Sequence, residues 1–222
     1  MRVVQIQVAL FLSDIISRPD LLAEEINQKL GNRFDAMPHC VALPIDAPAE
    51  IPVVTRRSTT LPHQLNVSHK RCDLLISPLM ENASLSIIET RYGEEIMDYV
   101  KAVMQNNKVD RIGVVLTVFD ETQNPCEHIS EKYFGGQNKD ASELSFRVNQ
   151  VTSIKGFDLN CIFSVSNGTC ETNGEKSEGV LYIRDINNVV KETTNSLTLK
   201  QITSVLKHSY YFLDETRFGE AK

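Results

Sequence analysis

The chain opens with a segment that predicts a strand with one predominantly apolar face. Between residues 3 and 12 the larger apolar side chains fall on every second position, which is the period of a β-strand with one buried face. The buried face is predicted to hold Val4, Ile6, Val8, Leu10 and Leu12. The opposite face is predicted to hold Gln5, Gln7, Ala9 and Phe11.

The pattern then changes to helix, loop and short strands. Ser17 to Asp20 supply a cap residue, an early proline and an early acid, which predict a helix to Leu30 that buries Leu21, Leu22 and Ile26. Residues 35–52 hold four of the eight prolines, so we expect a loop with at most a short edge strand. The next segments are three strands at 53–58, 61–67 and 72–76, and a long amphipathic helix that ends near Asn106.

The second half of the chain has the same order of elements. A strand at 112–119 precedes a helix from Pro125 to Phe134, and Gly135 ends that helix. The sequence then predicts strands at 144–152, 157–166 and 179–185, with a polar loop at 167–178. Thr198 and Gln201 form a capping box, which predicts a final helix that buries Leu199, Ile202, Val205, Leu206 and Leu213.

The two halves also share residues. The segment Val8–Pro19 recurs 106 residues later, and four of its positions are identical: Val8/Val114, Leu10/Leu116, Asp14/Asp120 and Pro19/Pro125. We therefore predict an internal duplication, with an N-terminal half at 1–108 and a C-terminal half at 109–222. Each half is a β-α-βββ-α unit. The predicted fold class is α+β, with one extended antiparallel sheet and helices packed on one face.

This order of elements, together with Arg111-Ile112-Gly113 at the start of the second half, resembles a sporadically distributed family of uncharacterised prokaryotic proteins. The resemblance covers nearly the whole chain and implies the duplicated β-α-βββ-α unit. The family has no assigned activity, so the resemblance implies no function.

The composition limits the classes of protein to which the chain can belong. The formal net charge is −6, which disfavours non-specific binding to nucleic acids but leaves room for a local basic patch. Five scattered cysteines do not suggest a disulfide framework. The N-terminal apolar run has no cleavage-site pattern and contains Gln5 and Gln7, so it is predicted to be a strand rather than a signal peptide. We expect a cytoplasmic protein that does not cross a membrane.

No catalytic or metal-binding motif stands out. His69 and Cys72 have the spacing of half a zinc site, but the chain offers no second pair of ligands, and no cofactor is indicated. Cys126 begins a predicted helix, where a thiolate is stabilised, but His128 is too close in sequence to face it. No glycine-rich phosphate-binding loop is present.

The strongest candidate surface is a basic segment. Within residues 55–71 no acid occurs, and six side chains are predicted to bind a partner or nucleic acid: Arg56, Arg57, His63, His69, Lys70 and Arg71. Such side chains on a two-stranded ribbon suit phosphates or an acidic protein. The alternative is a solvated strand edge on which basic residues prevent aggregation. Glu94, Glu95 and Asp98 are predicted to lie on the wet face of the long helix.

These observations leave three hypotheses about function. The first is a non-enzymatic protein-interaction or regulatory protein, with a protein partner or self-association. The second is a nucleic-acid-binding protein that uses the basic segment 55–71. The third is an enzyme whose site is assembled only in the fold.

Overall fold

The structure is a computed structural model, and it describes residues 1–44, 46–78, 80–81, 85–154, 157–172, 174–190 and 196–212. In these residues the chain is an α+β protein, with ten strands in one sheet and four helices. Every strand pairing is antiparallel. No helix in the described residues has the length and apolar character needed to cross a membrane.

The elements follow the predicted order closely. The strands are β1 Arg2–Leu12, β2 His39–Cys40, β3 Val54–Arg57, β4 His63–Val67, β5 Arg71–Ile76, β6 Met80–Glu81, β7 Val109–Glu121, β8 Ser145–Ile154, β9 Phe157–Thr172 and β10 Glu175–Asn188. The helices are α1 Pro19–Lys29, α2 Leu85–Met104, α3 Pro125–Phe134 and α4 Leu199–Phe212.

The pairing of β1 with β7 lies in the middle of the sheet. The order is β2-β3-β4-β5-β1-β7-β10-β9-β8, and β6 pairs separately with β1. Outward from β1 the strands are β5, β4 and β3, and outward from β7 they are β10, β9 and β8. On both sides the succession therefore runs from the last to the first of three consecutive strands. Val8 and Val114, the first identical pair of the sequence repeat, lie directly opposite each other.

Within the described residues, the helices pack against one face of the sheet, here called the covered face, and leave the other, the open face, without a helix. Alternate residues of β1 and β7 form the centre of the covered face and are fully buried, among them Ile6, Leu10, Ile112 and Leu116. Contacts from this face reach α1 through Arg56 and Glu24, α2 through His63 and Glu95, and α3 through Phe146 and Tyr133. The hydrophobic core lies between this face and the helices.

Several local predictions need correction. Val3 rather than Val4 is buried, because a register shift between Val3 and Gln5 changes the alternation at the start of β1. Leu21 is 57% exposed, and Leu199 is also exposed, so neither belongs to the core. The prediction for Leu213 lies outside the described residues. Residues 167–178 are not a polar loop, because β9 and β10 extend as a long hairpin that turns at Gly174, where φ is +84°.

The capping residues predicted for two helices, α4 and α1, can be compared with the structure. The capping box of α4 is confirmed, because the Thr198 backbone N–H donates to Gln201 Oε1 at 2.8 Å and Gln201 N–H donates to Thr198 Oγ1 at 3.3 Å. At α1 the capping residue is Arg18, not Ser17, and no side chain caps the helix. The early proline and Asp20 are present in the first turn, as predicted.

Two strand glycines provide a matched test of packing. A methyl group on Gly179 would lie 2.3 Å from the Asp120 carbonyl oxygen and 2.6 Å from the Phe119 ring, whereas one on Gly113 would make only ordinary contacts at 3.8 Å and beyond. We expect Gly179→Ala to lower the free energy of unfolding by about 1–3 kcal/mol. Gly113→Ala should leave it unchanged or raise it slightly, because alanine restricts the unfolded chain. Urea unfolding followed by circular dichroism measures both, and equal effects would contradict the packing described here.

Candidate functional site

The open face carries an unusual set of cations. The register of the strands places five arginines on it: Arg2, Arg57, Arg71, Arg111 and Arg147. Among the described strand residues, no lysine lies on this face. Arginine differs from lysine in stacking on aromatic rings and in presenting a planar fork to carboxylates and phosphates. The face is therefore built from the cation best suited to ordered contacts.

Phe11 lies at the centre of these arginines. It is opposite Arg71 on β5 and opposite Arg111 on β7, so the three side chains form one row across three strands. Both guanidinium carbons lie 4.9 Å from the centre of the Phe11 ring. A cation at this distance from an aromatic ring is attracted by its electron-rich face. The row holds two positive charges close together without an acid between them.

On one side of the row, Arg71 is held by a buried carboxylate. Arg71 donates from Nε and Nη2 to Asp73 Oδ1 at 2.9 and 2.8 Å, and Gln7 Nε2 donates to the same oxygen at 3.0 Å. Asp73 is only 4% exposed. Burial raises the pKa of Asp73 above its ordinary value, although Arg71 and Gln7 act in the opposite direction.

On the other side, asparagines hold Arg111. Arg111 Nη2 and Asn160 Nδ2 both donate to Asn187 Oδ1, each at 3.1 Å. Asn187 Nδ2 in turn donates to Asp185 Oδ1 at 3.0 Å, and Asn149 Nδ2 donates to Asn160 Oδ1 at 3.2 Å. Hydrogen bonds between side chains thus run from Arg111 across β10 and β9 to β8. Such bonds fix side-chain positions before any partner arrives.

A similar amide network lies at the far side of the sheet. Asn66 Oδ1 accepts from Thr55 Oγ1 and from Gln64 Nε2, both at 2.9 Å, and Arg57 Nε donates to Gln64 Oε1 at 3.0 Å. The open face therefore presents ordered polar side chains on β3, β4 and β5 as well as on the strands of the second half.

The structure divides the six residues of the predicted basic segment between three places. Arg57 and Arg71 lie on the open face, where Arg71 is in the same row as Arg111 and Arg57 lies apart on β3. Arg56 and His63 point to the covered face, where Arg56 pairs with Glu24 and His63 lies beside Glu95. His69 and Lys70 are in the turn between β4 and β5, and His69 Nδ1 lies 2.6 Å from the Ile16 carbonyl oxygen. The six do not form one patch, and binding by them stays a prediction.

One acid predicted to be solvated on α2 is instead enclosed. Glu95 Oε1 lies 3.3 Å from His63 Nε2 and 3.0 Å from Arg33 Nη1. Burial raises the pKa of Glu95, but His63 and Arg33 outweigh that effect and hold the pKa below its ordinary value of 4.5. This cluster ties the loop after α1 to β4 and α2, so its role is structural.

His128, the histidine nearest to Cys126 in the sequence, makes its hydrogen bond with Tyr182 and not with Cys126. Cys126 is buried and lines a cavity of about 450 Å³ together with Asn124, Lys139 and Glu178. His128 Nε2 lies 3.3 Å from the hydroxyl of Tyr182, so the ring is directed to the sheet. In the described part of the chain, no three histidine, cysteine or acidic side chains are grouped as a metal site.

Of the three residues in the central row of the open face, the sequence identified Arg71 as a site residue but not Phe11 or Arg111. The alternation in β1 placed Gln7 and Phe11 opposite the buried face, which was the available signal. The neighbours across the strands, Asp73, Arg111 and Asn187, come from distant segments. A scan against protein-family models and a search of curated proteins found no match for the chain.

Two carboxylates give opposite expectations for the effect of pH on stability. The raised pKa of Asp73 means that the folded state holds its proton more tightly, so the stability it contributes is present below pH 3.8 and is lost as pH rises through its folded pKa. The lowered pKa of Glu95 means that its contribution is present above pH 4.5 and is lost as pH falls through its folded pKa.

Urea unfolding between about pH 3 and pH 7 separates the two. Relative to Asp73→Asn, the wild type should become less stable as pH rises, because the variant cannot ionise. Relative to Glu95→Gln, the wild type should become more stable over the same interval. Two trends of the same sign would show that one of these electrostatic assignments is wrong.

Proposed function

We propose that the protein is a non-enzymatic binding protein that uses the open face to hold an acidic surface of a protein partner. The observation that carries the proposal is the row of Arg71, Phe11 and Arg111 in the middle of a sheet face that no described helix packs against. Arginine and aromatic side chains supply most of the binding energy in many protein interfaces. Paired guanidinium groups match the planar geometry of carboxylates.

The hydrogen bonds around the row support binding rather than catalysis. Asp73 and Asp185, two acids of the open face, already accept hydrogen bonds from neighbouring side chains. The two acids therefore hold the side chains of Arg71 and Asn187 in position. A surface whose polar groups are fixed in advance loses less conformational entropy when a partner binds.

We infer that residues 1–108 and 109–222 are two copies of one β-α-βββ-α unit. The strand succession on either side of β1 and β7 and the pairing of Val8 with Val114 both support the inference. It makes the open face one surface shared by both halves, since Phe11 comes from the first and Arg111 from the second. A cytoplasmic location and membership of the family that the sequence resembles stay predictions.

The proposed function is tested with charge-neutralising variants. We expect Arg57→Gln combined with Arg111→Gln to weaken partner binding by about tenfold or more, because both remove guanidinium groups from the open face. Arg18→Gln is the matched control, since Arg18 is exposed at the start of α1, away from the sheet, and pairs with Asp20. The measurement is capture of a stoichiometric partner from extracts of the native host, followed by titration with the purified partner. A partner that binds both variants equally would contradict the proposal.

A second candidate is binding of single-stranded nucleic acid on the same face. The observation in its favour is that Phe11 presents an aromatic side chain between two arginines on an antiparallel sheet, a combination on which bases stack while arginines contact phosphates. The net charge of −6 weighs against it, because binding of this kind depends on neutralising phosphates.

An electrophoretic mobility shift distinguishes the two candidates. If nucleic acid is the ligand, a single-stranded oligonucleotide should be retarded at about 50 mM salt and released at higher salt. The Arg57→Gln and Arg111→Gln variant should lose the shift, whereas Arg18→Gln should keep it. No shift of the wild type at low salt would exclude this candidate and leave the protein partner.

A further inference from the structure

The two edges of the sheet differ in how open they are to pairing. At one edge, β2 has only two residues and is surrounded by Pro38, Pro44 and Pro48, which cannot donate to a strand ladder. At the other edge, β8 has ten residues and no proline or glycine, and Arg147 is its one charged residue. Proteins usually protect a long edge strand with charges, prolines or a covering segment. Among the described strands, β8 pairs with β9 alone.

The direction of the peptide groups of β8 follows from one hydrogen bond at its start. The Asn167 backbone N–H donates to the Leu144 carbonyl oxygen at 3.3 Å, in register with the pairing of Ser145 and Ser166. Along an antiparallel pair of strands, residues that exchange backbone hydrogen bonds with the partner strand alternate with residues that do not. The even-numbered residues of β8 therefore bond to β9. The peptide N–H and C=O groups of the odd-numbered residues point away from the sheet: Ser145, Arg147, Asn149, Val151 and Ser153.

We propose that β8 pairs with β8 of a second copy of this chain, antiparallel, about a two-fold axis that passes midway between the two Asn149 residues. Asn149 is the middle one of the five outward-facing residues, so this register uses all of them. It opposes Asn149 to its equivalent, Arg147 to Val151, and Ser145 to Ser153. Each such pair exchanges two backbone hydrogen bonds, which amounts to about ten across the interface.

The side chains of β8 fit this register. Val151 is 63% exposed, and it comes to lie opposite the aliphatic stem of Arg147 of the partner strand. The single charge of the strand is not placed against a like charge. On the covered face, Leu144 and Ile154, which pack at the edge of the hydrophobic core, lie opposite each other. A strand that is complementary to itself favours a second copy over an unrelated peptide.

The dimer is independent of the proposed binding function, because it uses main-chain groups at the edge rather than the row around Phe11. A two-fold axis perpendicular to the sheet keeps both open faces on the same side. The two sheets become one, and the hydrogen-bonded side chains that end at Asn149 in one copy meet those of the other copy.

The register is tested by placing opposite charges at one position. Val151→Lys puts a cation opposite Arg147 of the partner strand, and Val151→Glu puts an anion there, each twice in the dimer. Relative to the wild type, we expect the lysine variant to raise the dissociation constant by roughly two- to thirty-fold, and the glutamate variant to lower it by a similar factor. Sedimentation equilibrium of the full chain from about 1 to 500 µM measures both. Shifts of the same sign in both variants would overturn this register.

A proline tests the edge itself. Asn149→Pro removes an N–H that points away from β9, so the fold should survive, as the circular dichroism spectrum and the urea midpoint will show. The variant should be monomeric at concentrations where the wild type is a dimer. Because Val151→Lys and Val151→Glu keep all of the backbone groups, they decide the matter if the proline variant fails to fold. A wild-type chain that remains a monomer over the whole concentration range would refute the proposal.

Discussion

The structure depends on the antiparallel pairing of β1 with β7. This pair joins the two halves of the chain into one sheet, and its register sets which side chains face the helices. Because successive residues of a strand point to opposite faces, a slip of one residue would exchange Ile6, Val8 and Leu10 for Gln7, Ala9 and Phe11. Such a slip would bury glutamine and remove the main apolar side chains from the core. The burial of one face therefore selects the register, and the register in turn aligns Phe11 with Arg111.

The one-sided packing of the helices explains where charged groups are found. On the covered face, two basic side chains lie beside acids that the helices supply: Arg56 beside Glu24 and His63 beside Glu95. On the open face, Arg57 and Arg111 take their hydrogen-bond partners from neighbouring strands, and Arg71 takes Asp73 from its own strand. Asp73 shows the consequence, because the side chains of this face bury it deeply enough to raise its pKa even beside Arg71. The open face is thus an ordered layer of side chains rather than a loosely solvated surface.

Peptide groups in the interior of a sheet are paired by neighbouring strands, whereas each edge strand leaves peptide groups unpaired. The two edges of this sheet differ in how many such groups they present. The first edge strand is short and lies among prolines, so few peptide groups are left unpaired there. The last one, β8, presents five outward-facing residues and carries little charge. Since both edges are exposed to the same solvent, this contrast argues for a different use of the second edge. It is the physical basis for expecting β8 to meet another strand.

Much of the architecture is local in origin and was accessible from the sequence. The period-two alternation predicted β1, and the proline and glycine at its two ends predicted α3 from Pro125 to Phe134 as it is observed. The capping box at Thr198 located the start of α4. The long hairpin of β9 and β10 was missed, because a polar segment such as 167–178 extends as strand only when a partner strand satisfies its backbone.

The candidate site shows the limit of such reasoning. Alternation placed Phe11 on the less buried face of β1, and the residue types of the basic segment drew attention to Arg57 and Arg71. Only the tertiary structure separated Arg56 and His63 from them and brought in Arg111. The reason is physical: periodicity within a segment records which side of its own strand a residue occupies. The neighbour across the sheet depends on the register between strands that lie far apart in the chain.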